Sequence, residues 1–370
     1  MTAVTSTLDA RRAKARESFR LSGVPNRRVE DWKYTDLHNA VGANDVEHAG
    51  PAKWSVDASN GVELFDLASA DAPDWVKQRL GSLGVIDAMD AASLAFSRTG
   101  FAIRMPKGQS GEAHVAWQSA GQARVLIVLE DNASLNLIET GEAFAGFRNI
   151  GVEVFAGSGA ALTQTRISPE DKRAVQVADI SVKLGRDAIC RAHFANFGAK
   201  VSRTGLHIAL EGEGAQAHLS GVSVLKDAHA DVTVHMDHAV GNTQSTQLFK
   251  YVAGGRSRGV YQGKVTVREG ANGSDSRQAA KGLLLEDRAE IDLKPELEIL
   301  ADDVKCAHGA AVGDLDAESL FYLRSRGLPE AEARALLMRA FLGDAVEQIA
   351  DEAIRASVWQ AVEAALETVS

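Results

Sequence analysis

The stretch "DVKCAHGAAVGDL", residues 303–315, sets a cysteine two residues before a histidine, Cys306 and His308. In extended backbone, residues i and i+2 face the same way, so a thiolate and an imidazole would project side by side. Both are good ligands for iron, zinc or copper. Two ligands do not close a site. The pair is therefore either half of a metal centre completed from elsewhere or a packed thiol beside a loop histidine.

Other residues offer weaker chemistry. His229, His235 and His238 cluster in "DAHADVTVHMDH". On a strand, His235 and Asp237 share one face and His238 opposes them, so a solvated strand face explains the cluster better than a metal site. Asp275, Glu286, Asp287, Glu290 and Asp292 would suit a carbohydrate-cleaving groove if two carboxyl groups stood at a set separation. A charged turn in "LEDRAEIDL" accounts for most of them. No phosphate-binding loop, dinucleotide fingerprint, nucleophile elbow or HExxH helix is present.

The elements that must position Cys306 and His308 are legible in the surrounding pattern. The chain has 370 residues, a formal net charge of −10 and two cysteines. That length supports a sizeable core. The charge argues against a broad nucleic-acid footprint, which needs clustered Lys and Arg. Two cysteines make no disulfide framework. With no apolar leader core in the first twenty residues and no apolar run of about 18 or more, the expected compartment is the cytoplasm, with no membrane contact.

Residues 7–20 read as a charged amphipathic helix, 38–56 as loop, and 73–97 as helical again. From Phe101 to about Leu300 short strands follow one another without alternating helices, which excludes a doubly wound parallel sheet. Within them a turn-then-strand fragment recurs at Ala133, Ala160, Ala188, Ala215, Thr243 and Ala271, at a nearly constant step of about 28 residues. A second set near Ser202, Ala230 and Ser257 lies half a period away. Such regularity belongs to a coil of strands, and we expect a β-helix of six to seven rungs. Two positions on, Leu135, Leu162, Cys190, Ala217, Ser245 and Gly273 should stack as one interior column, with Cys190 a small buried hydrophobe.

After Leu315 the pattern turns helical. Asp316 is placed to cap a helix, Gly327 to stop it, and Pro329 to begin the next. One apolar stripe runs through Ala333, Leu336, Leu337, Ala340 and Phe341, and another through Ile354, Val358, Ala361, Val362 and Ala365. The expected organisation is an N-terminal helical region (1–98), a β-helix core (99–313) and a C-terminal helical domain (314–370), mainly β overall.

The run from "DHAVGNTQSTQLFKYVAGG" through "DVKCAHGAAVGDLDAESLFYLRSRGL" resembles the core of the SufB/SufD family of iron–sulfur cluster assembly proteins. "VPNRRVEDWKYTDL" resembles the N-terminal signature of its SufD branch, and "SLAFSRTGFAIRMPKG" the family's entry into its β-helix. The form "CAHGA" and the chain length also favour that branch. The resemblance implies a right-handed parallel β-helix between N- and C-terminal helical regions. It implies a non-catalytic scaffold subunit working with SufB, met through the β-helix, and with the ABC-type ATPase SufC, met through the C-terminal helices. Leu320, Phe321, Tyr322, Arg326, Leu336 and Phe341 are the candidate contact residues on those helices. By motif, His308 matches the histidine implicated in cluster assembly at the SufB interface, and Cys306 its neighbouring cysteine. The sulfur-accepting cysteine of SufB has no counterpart, and Cys190 does not take that role. Iron or a nascent cluster would be held transiently and shared with SufB, none of it stably on the isolated chain, which could also pair with itself. Two other readings stand beside this one: a scaffold that touches no metal, and a β-helix enzyme acting on polysaccharide.

Overall fold

The computed structural model describes residues 7–69 and 71–369. Part of the stretch expected to lack a leader core, residues 1–6, lies outside them. The chain begins with helix α1 (Thr7–Ser22), a one-turn helix at Glu30–Trp32 and helix α2 (Ala43–Glu47). Strands β1 (Trp54–Ala58) and β2 (Glu63–Asp66) follow, then helices α3 (Asp74–Arg79) and α4 (Ala88–Phe96). The expected loop at 38–56 thus holds a short helix and a strand, and the helical stretch at 73–97 is broken in two by an extended Leu80.

The coil then winds through sixteen strands. They are β3 (Gly100–Met105), β4 (Ser110–Trp117), β5 (Gly121–Leu129), β6 (Ser134–Gly141), β7 (Gly146–Ala156) and β8 (Ala161–Ser168). Next come β9 (Asp171–Leu184), β10 (Ile189–Asn196), β11 (Ala199–Leu210), β12 (Gln216–Lys226) and β13 (His229–His238). Last are β14 (Gln244–Gly254), β15 (Arg258–Val267), β16 (Asp275–Leu284), β17 (Glu290–Ile299) and β18 (Lys305–Gly313). Even-numbered strands from β4 to β18 stack as one parallel sheet and odd-numbered strands from β3 to β17 as the other. This is a parallel β-solenoid of about eight turns, more than the six to seven expected. The extra turns lie at the two ends, where the repeat departs from its usual step. Ser134 follows Ser110 in the first by only 24 residues, and the last, from Asp275 to Lys305, is wider than the standard step.

The register also corrects one repeat. Thr243 is followed in its column by Ser274, not Ala271, because the turn after β15 carries three extra residues and Gln244 pairs with Asp275. The interior column therefore runs Leu135, Leu162, Cys190, Ala217, Ser245, Ser276 and Cys306. Gly273 instead takes a left-handed turn, at φ +76°. Cys190 is fully buried in this stack, and burial pushes its thiol up to about 12.

The flanks are covered differently. On the outer face of the odd-strand sheet, α1, α4 and the turn carrying Trp32 bury Phe19, Trp32, Met89 and Leu94 against Val175, Val177 and Val201. Helices α5 (Ala317–Ser325), α6 (Glu330–Val346) and α7 (Glu352–Val369) follow β18, and α6 and α7 lie on the even-strand sheet. The Asp316 side chain accepts the Ser319 N–H at 2.7 Å, and Gly327 ends α5 at φ +94°. The buried face of α6 is Ala333, Met338, Leu342, Ala345 and Val346; of the apolar stripe only Ala333 is buried, Leu337 and Phe341 are half-buried, and Leu336 and Ala340 are exposed. Both faces of α6 are apolar, so the stripe alone does not say which one packs. In α7 the buried face is Ile354, Val358, Val362, Leu366 and Val369, close to the expected one.

Candidate metal centre

The coil has one closed and one open end. At the start, β1 and β2 add antiparallel to β4 and β3, and these edge strands have five and four residues. At the finish, β17 and β18 are the outermost strands of their sheets, with ten and nine residues in parallel register. Long flat edges leave rows of backbone N–H and C=O groups available to another chain. Every residue of β18 except Cys306 is exposed, Val312 among them, and Ile299 and Leu300 at the end of β17 are further exposed apolar residues.

Cys306 and His308 stand on this last strand. Cys306 pairs with Ser276 and packs against the interior core. His308 pairs with Gln278 and is exposed. The two share a strand face and extend adjacent interior columns, Ser245–Ser276–Cys306 and Gln247–Gln278–His308. Burial pushes the Cys306 thiol up, against a backbone hydrogen bond from Ser276 that favours the thiolate. Neither ring nitrogen of His308 is engaged among the described residues. Nor does any third His, Cys, Asp or Glu join the pair there to hold a metal ion. The donor set suits iron but supplies two ligands at most.

Sequence reasoning missed the interior beneath this pair. The first rungs are filled by Ile, Leu and Val, but the last ones hold buried Ser245, Gln247, Tyr251, Tyr261, Ser276, Gln278 and His238. Their hydrogen bonds run in one direction. Thr243 donates to the Val240 carbonyl at 3.2 Å, so its oxygen accepts the His238 Nδ1–H at 2.7 Å. His238 Nε2 then accepts from Ser245 at 2.9 Å, and the Ser245 oxygen accepts from Ser276 at 2.8 Å. Tyr261 donates to Gln247 at 2.8 Å and Gln278 to the Glu296 carbonyl at 3.2 Å. The available signal was the lengthening of the repeat between β14 and β16, which hid Ser276 behind Gly273.

The remaining candidates fall elsewhere. His238 is wholly buried, whereas His235 faces out, stacks on His207 at 4.5 Å and reaches Asp31 at 3.3 Å. Asp237 pairs with Arg268, Glu286 with Lys226, and Glu290 and Asp292 with Arg258, so these carboxylates are tied into ion pairs along the coil. The signature "EDWKYT" is fastened to the odd-strand sheet. Trp32 donates to Asp87 at 3.1 Å beneath the Arg203 guanidinium, Thr35 binds Asp231 and His229, and Glu30 reaches Lys294 at 2.7 Å.

On the C-terminal helices, Phe321 is 76% exposed, and Tyr322, Arg326 and Leu336 are exposed as well. Leu320 is half-buried. Phe341 is half-buried under Lys250, whose ammonium also binds the Phe341 carbonyl and Asp344. A groove of about 600 Å³ between α6 and α7 is lined by Leu336, Arg339, Glu363 and Leu366. No helix among the described residues is long and apolar enough to cross a membrane.

Comparison with known proteins agrees with this architecture. The family described as "SUF system FeS cluster assembly, SufBD core domain" matches residues 112–341, and "SufBD protein N-terminal region" matches residues 2–63. The chain is 32% identical to an iron–sulfur cluster assembly SufBD family protein of Synechocystis over 62% of its own length, and spans 53% of that relative. It is 28% identical to the iron–sulfur cluster assembly protein SufD of Escherichia coli, over 91% of this chain and 88% of that one. A SufBD family protein of Mycobacterium tuberculosis is likewise 28% identical, over 93% and 90%.

Proposed function

The chain belongs to the SufBD family of iron–sulfur cluster assembly proteins, and from that premise we propose that it is a SufD-like, non-catalytic subunit whose open coil end helps to hold iron while a cluster forms. The observation that carries this reading is the placement of Cys306 and His308. They lie on an exposed terminal strand, on one face, without a third ligand among the described residues of this chain. The missing ligands come from a partner strand laid against β18, and SufB is that partner. Iron and sulfide are the cargo, shared across the junction and not retained by this chain alone.

The second contact is with SufC, through α5 and α6. Exposed Phe321, Tyr322 and Leu336 support it, since large apolar groups left on a helix surface mark interaction sites. ATP-driven closure of SufC would pull on these helices, and only Asp314 to Asp316 separate β18 from α5. Strain on α5 therefore reaches the strand that bears the ligands.

The test is His308→Ala in the co-expressed complex. The expected result is loss of iron and acid-labile sulfide with the complex still assembled on size-exclusion chromatography. Normal iron and sulfide content in that variant would overturn the reading. The half-burial of Cys306 and its raised thiol favour a second reading, in which the chain only scaffolds SufB and SufC. That reading predicts unchanged Mössbauer spectra when both Cys306 and His308 are replaced by Ala.

A further inference from the structure

Away from the open end, the coil encloses a second polar group that the assembly role does not use. Arg148 on β7 and Arg166 on β8 both project into the interior and are 4% and 7% exposed. Arg148 stacks on Phe144 at 3.9 Å and donates one Nη2 hydrogen bond to Gln176 at 3.2 Å. It forms no ion pair among the described residues. Arg166 Nη2 lies 3.6 Å from Glu139 Oε2. Glu139 is already taken up, since the same oxygen accepts the Trp117 indole N–H at 3.0 Å and the other accepts Gln164. The Nη1 atoms of both arginines are buried and have no partner.

Two guanidinium groups against one carboxylate leave an uncompensated positive charge in the core. Burial is the largest effect on Arg148, and Arg166 adds to it, bringing its pKa down to about 9. Buried charges are ordinarily paired, because an isolated one is far better solvated by water than by a protein interior. Arg148, Arg166, Ser168, Gln176 and Ser202, with the Asp231-paired Arg203, line a small cavity of about 10 Å³. The Ser202 oxygen already accepts from Gln176 and Asn196, each at 2.9 Å, so its own hydrogen is left to donate.

We propose that this cavity binds one monovalent inorganic anion of halide size, held by Arg148 Nη1, Arg166 Nη1 and the Ser202 hydroxyl. The three groups are donors only toward the cavity, and they come from both sheets. The anion would tie β7 and β11 of one sheet to β8 of the other, inside the coil.

Crystals of the full chain grown with bromide in place of chloride decide the matter. The expected result is an anomalous bromine peak within hydrogen-bond reach of both Nη1 atoms. A water-sized peak there with no anomalous signal would overturn the proposal. In solution, thermal unfolding is followed in chloride and in gluconate at equal ionic strength. Chloride at ten times its dissociation constant should raise the folded-to-unfolded ratio about eleven-fold, and Arg148→Met should abolish the difference. An ion effect equal in both salts, or one that survives in Arg148→Met, would also overturn it. The bromide experiment uses the unaltered protein, so it decides even if Arg148→Met does not fold.

Discussion

The two ends of the coil are built from one repeat and finished in opposite ways. At the first rung, Trp54, Phe101 and Trp117 cluster with ring centroids 5.0 and 6.1 Å apart, and two short antiparallel strands lie over the edge. At the last rung, the interior has become hydroxyls, amides and an imidazole, and two long strands lie bare. An apolar end that closes itself contributes stability. A polar end that stays open gives up some of that contribution and keeps backbone donors, acceptors and the side chains of the last strand available. The contrast predicts that stability is concentrated at the closed end and function at the open one.

The largest effect should follow from Trp117→Ala. Its indole is buried and its N–H serves Glu139, so the substitution leaves a cavity and a carboxylate oxygen with only the 3.6 Å contact to Arg166. We expect a loss of about 3–5 kcal/mol in urea unfolding. A loss below about 1 kcal/mol would break the comparison.

The polar interior of the open end predicts a pH dependence. Burial lowers the His238 pKa to about 4. The unfolded imidazole takes a proton below about 6.5, while the folded one resists until about 4. Between those values the unfolded state binds more protons, so the stability from neutral His238 is full above 6.5 and drains as the pH falls. At pH 5.5 this amounts to about 1.4 kcal/mol. His238→Gln should make the fall in stability between pH 6.5 and 4 shallower by about 2–3 kcal/mol. His193, His207 and His229 are lowered by burial in the same way, so the slope will not vanish. An unchanged slope would mean that His238 is protonated in the folded state.

How far the sequence reached follows the same division. The near-constant repeat is a property of strand-plus-turn length, and it disclosed the solenoid without any contact information. It failed where one turn grew: the three added residues between β15 and β16 moved the column from Gly273 to Ser276, and with it the continuity from Cys190 to Cys306. The shared face of Cys306 and His308 was legible because alternation along a strand is local. That one is half-covered and the other bare was not, because it depends on where the coil stops. Which apolar face of α6 packs on the coil was not legible for a related reason. An apolar face left to solvent looks the same in sequence as one packed on the coil.

A smaller effect is expected at Cys306. Its replacement by Ala removes one half-buried sulfur, and we expect a loss below about 1 kcal/mol. Its thiol should react with a disulfide reagent in the native chain more slowly than an exposed cysteine, because burial raises its pKa. Cys190, with its thiol pushed up to about 12, should react only on unfolding. Equal rates for the two would place Cys306 in the closed interior and remove it from the candidate site.

The smallest effect on stability is expected where the largest effect on function is proposed. His308 is exposed, makes no hydrogen bond among the described residues and lies on a strand with no neighbour on its far side. Its replacement by Ala should change the unfolding free energy by no more than about 0.5 kcal/mol. The ring therefore does little for the fold that bears it. Gln278, its column neighbour one rung earlier, offers the control: it is buried and donates to the Glu296 carbonyl, so Gln278→Ala should cost about 1–3 kcal/mol. If His308→Ala proves as destabilising as Gln278→Ala, the imidazole is a structural plug for the coil end, and the division between a stable end and a working end fails at the residue on which it most depends.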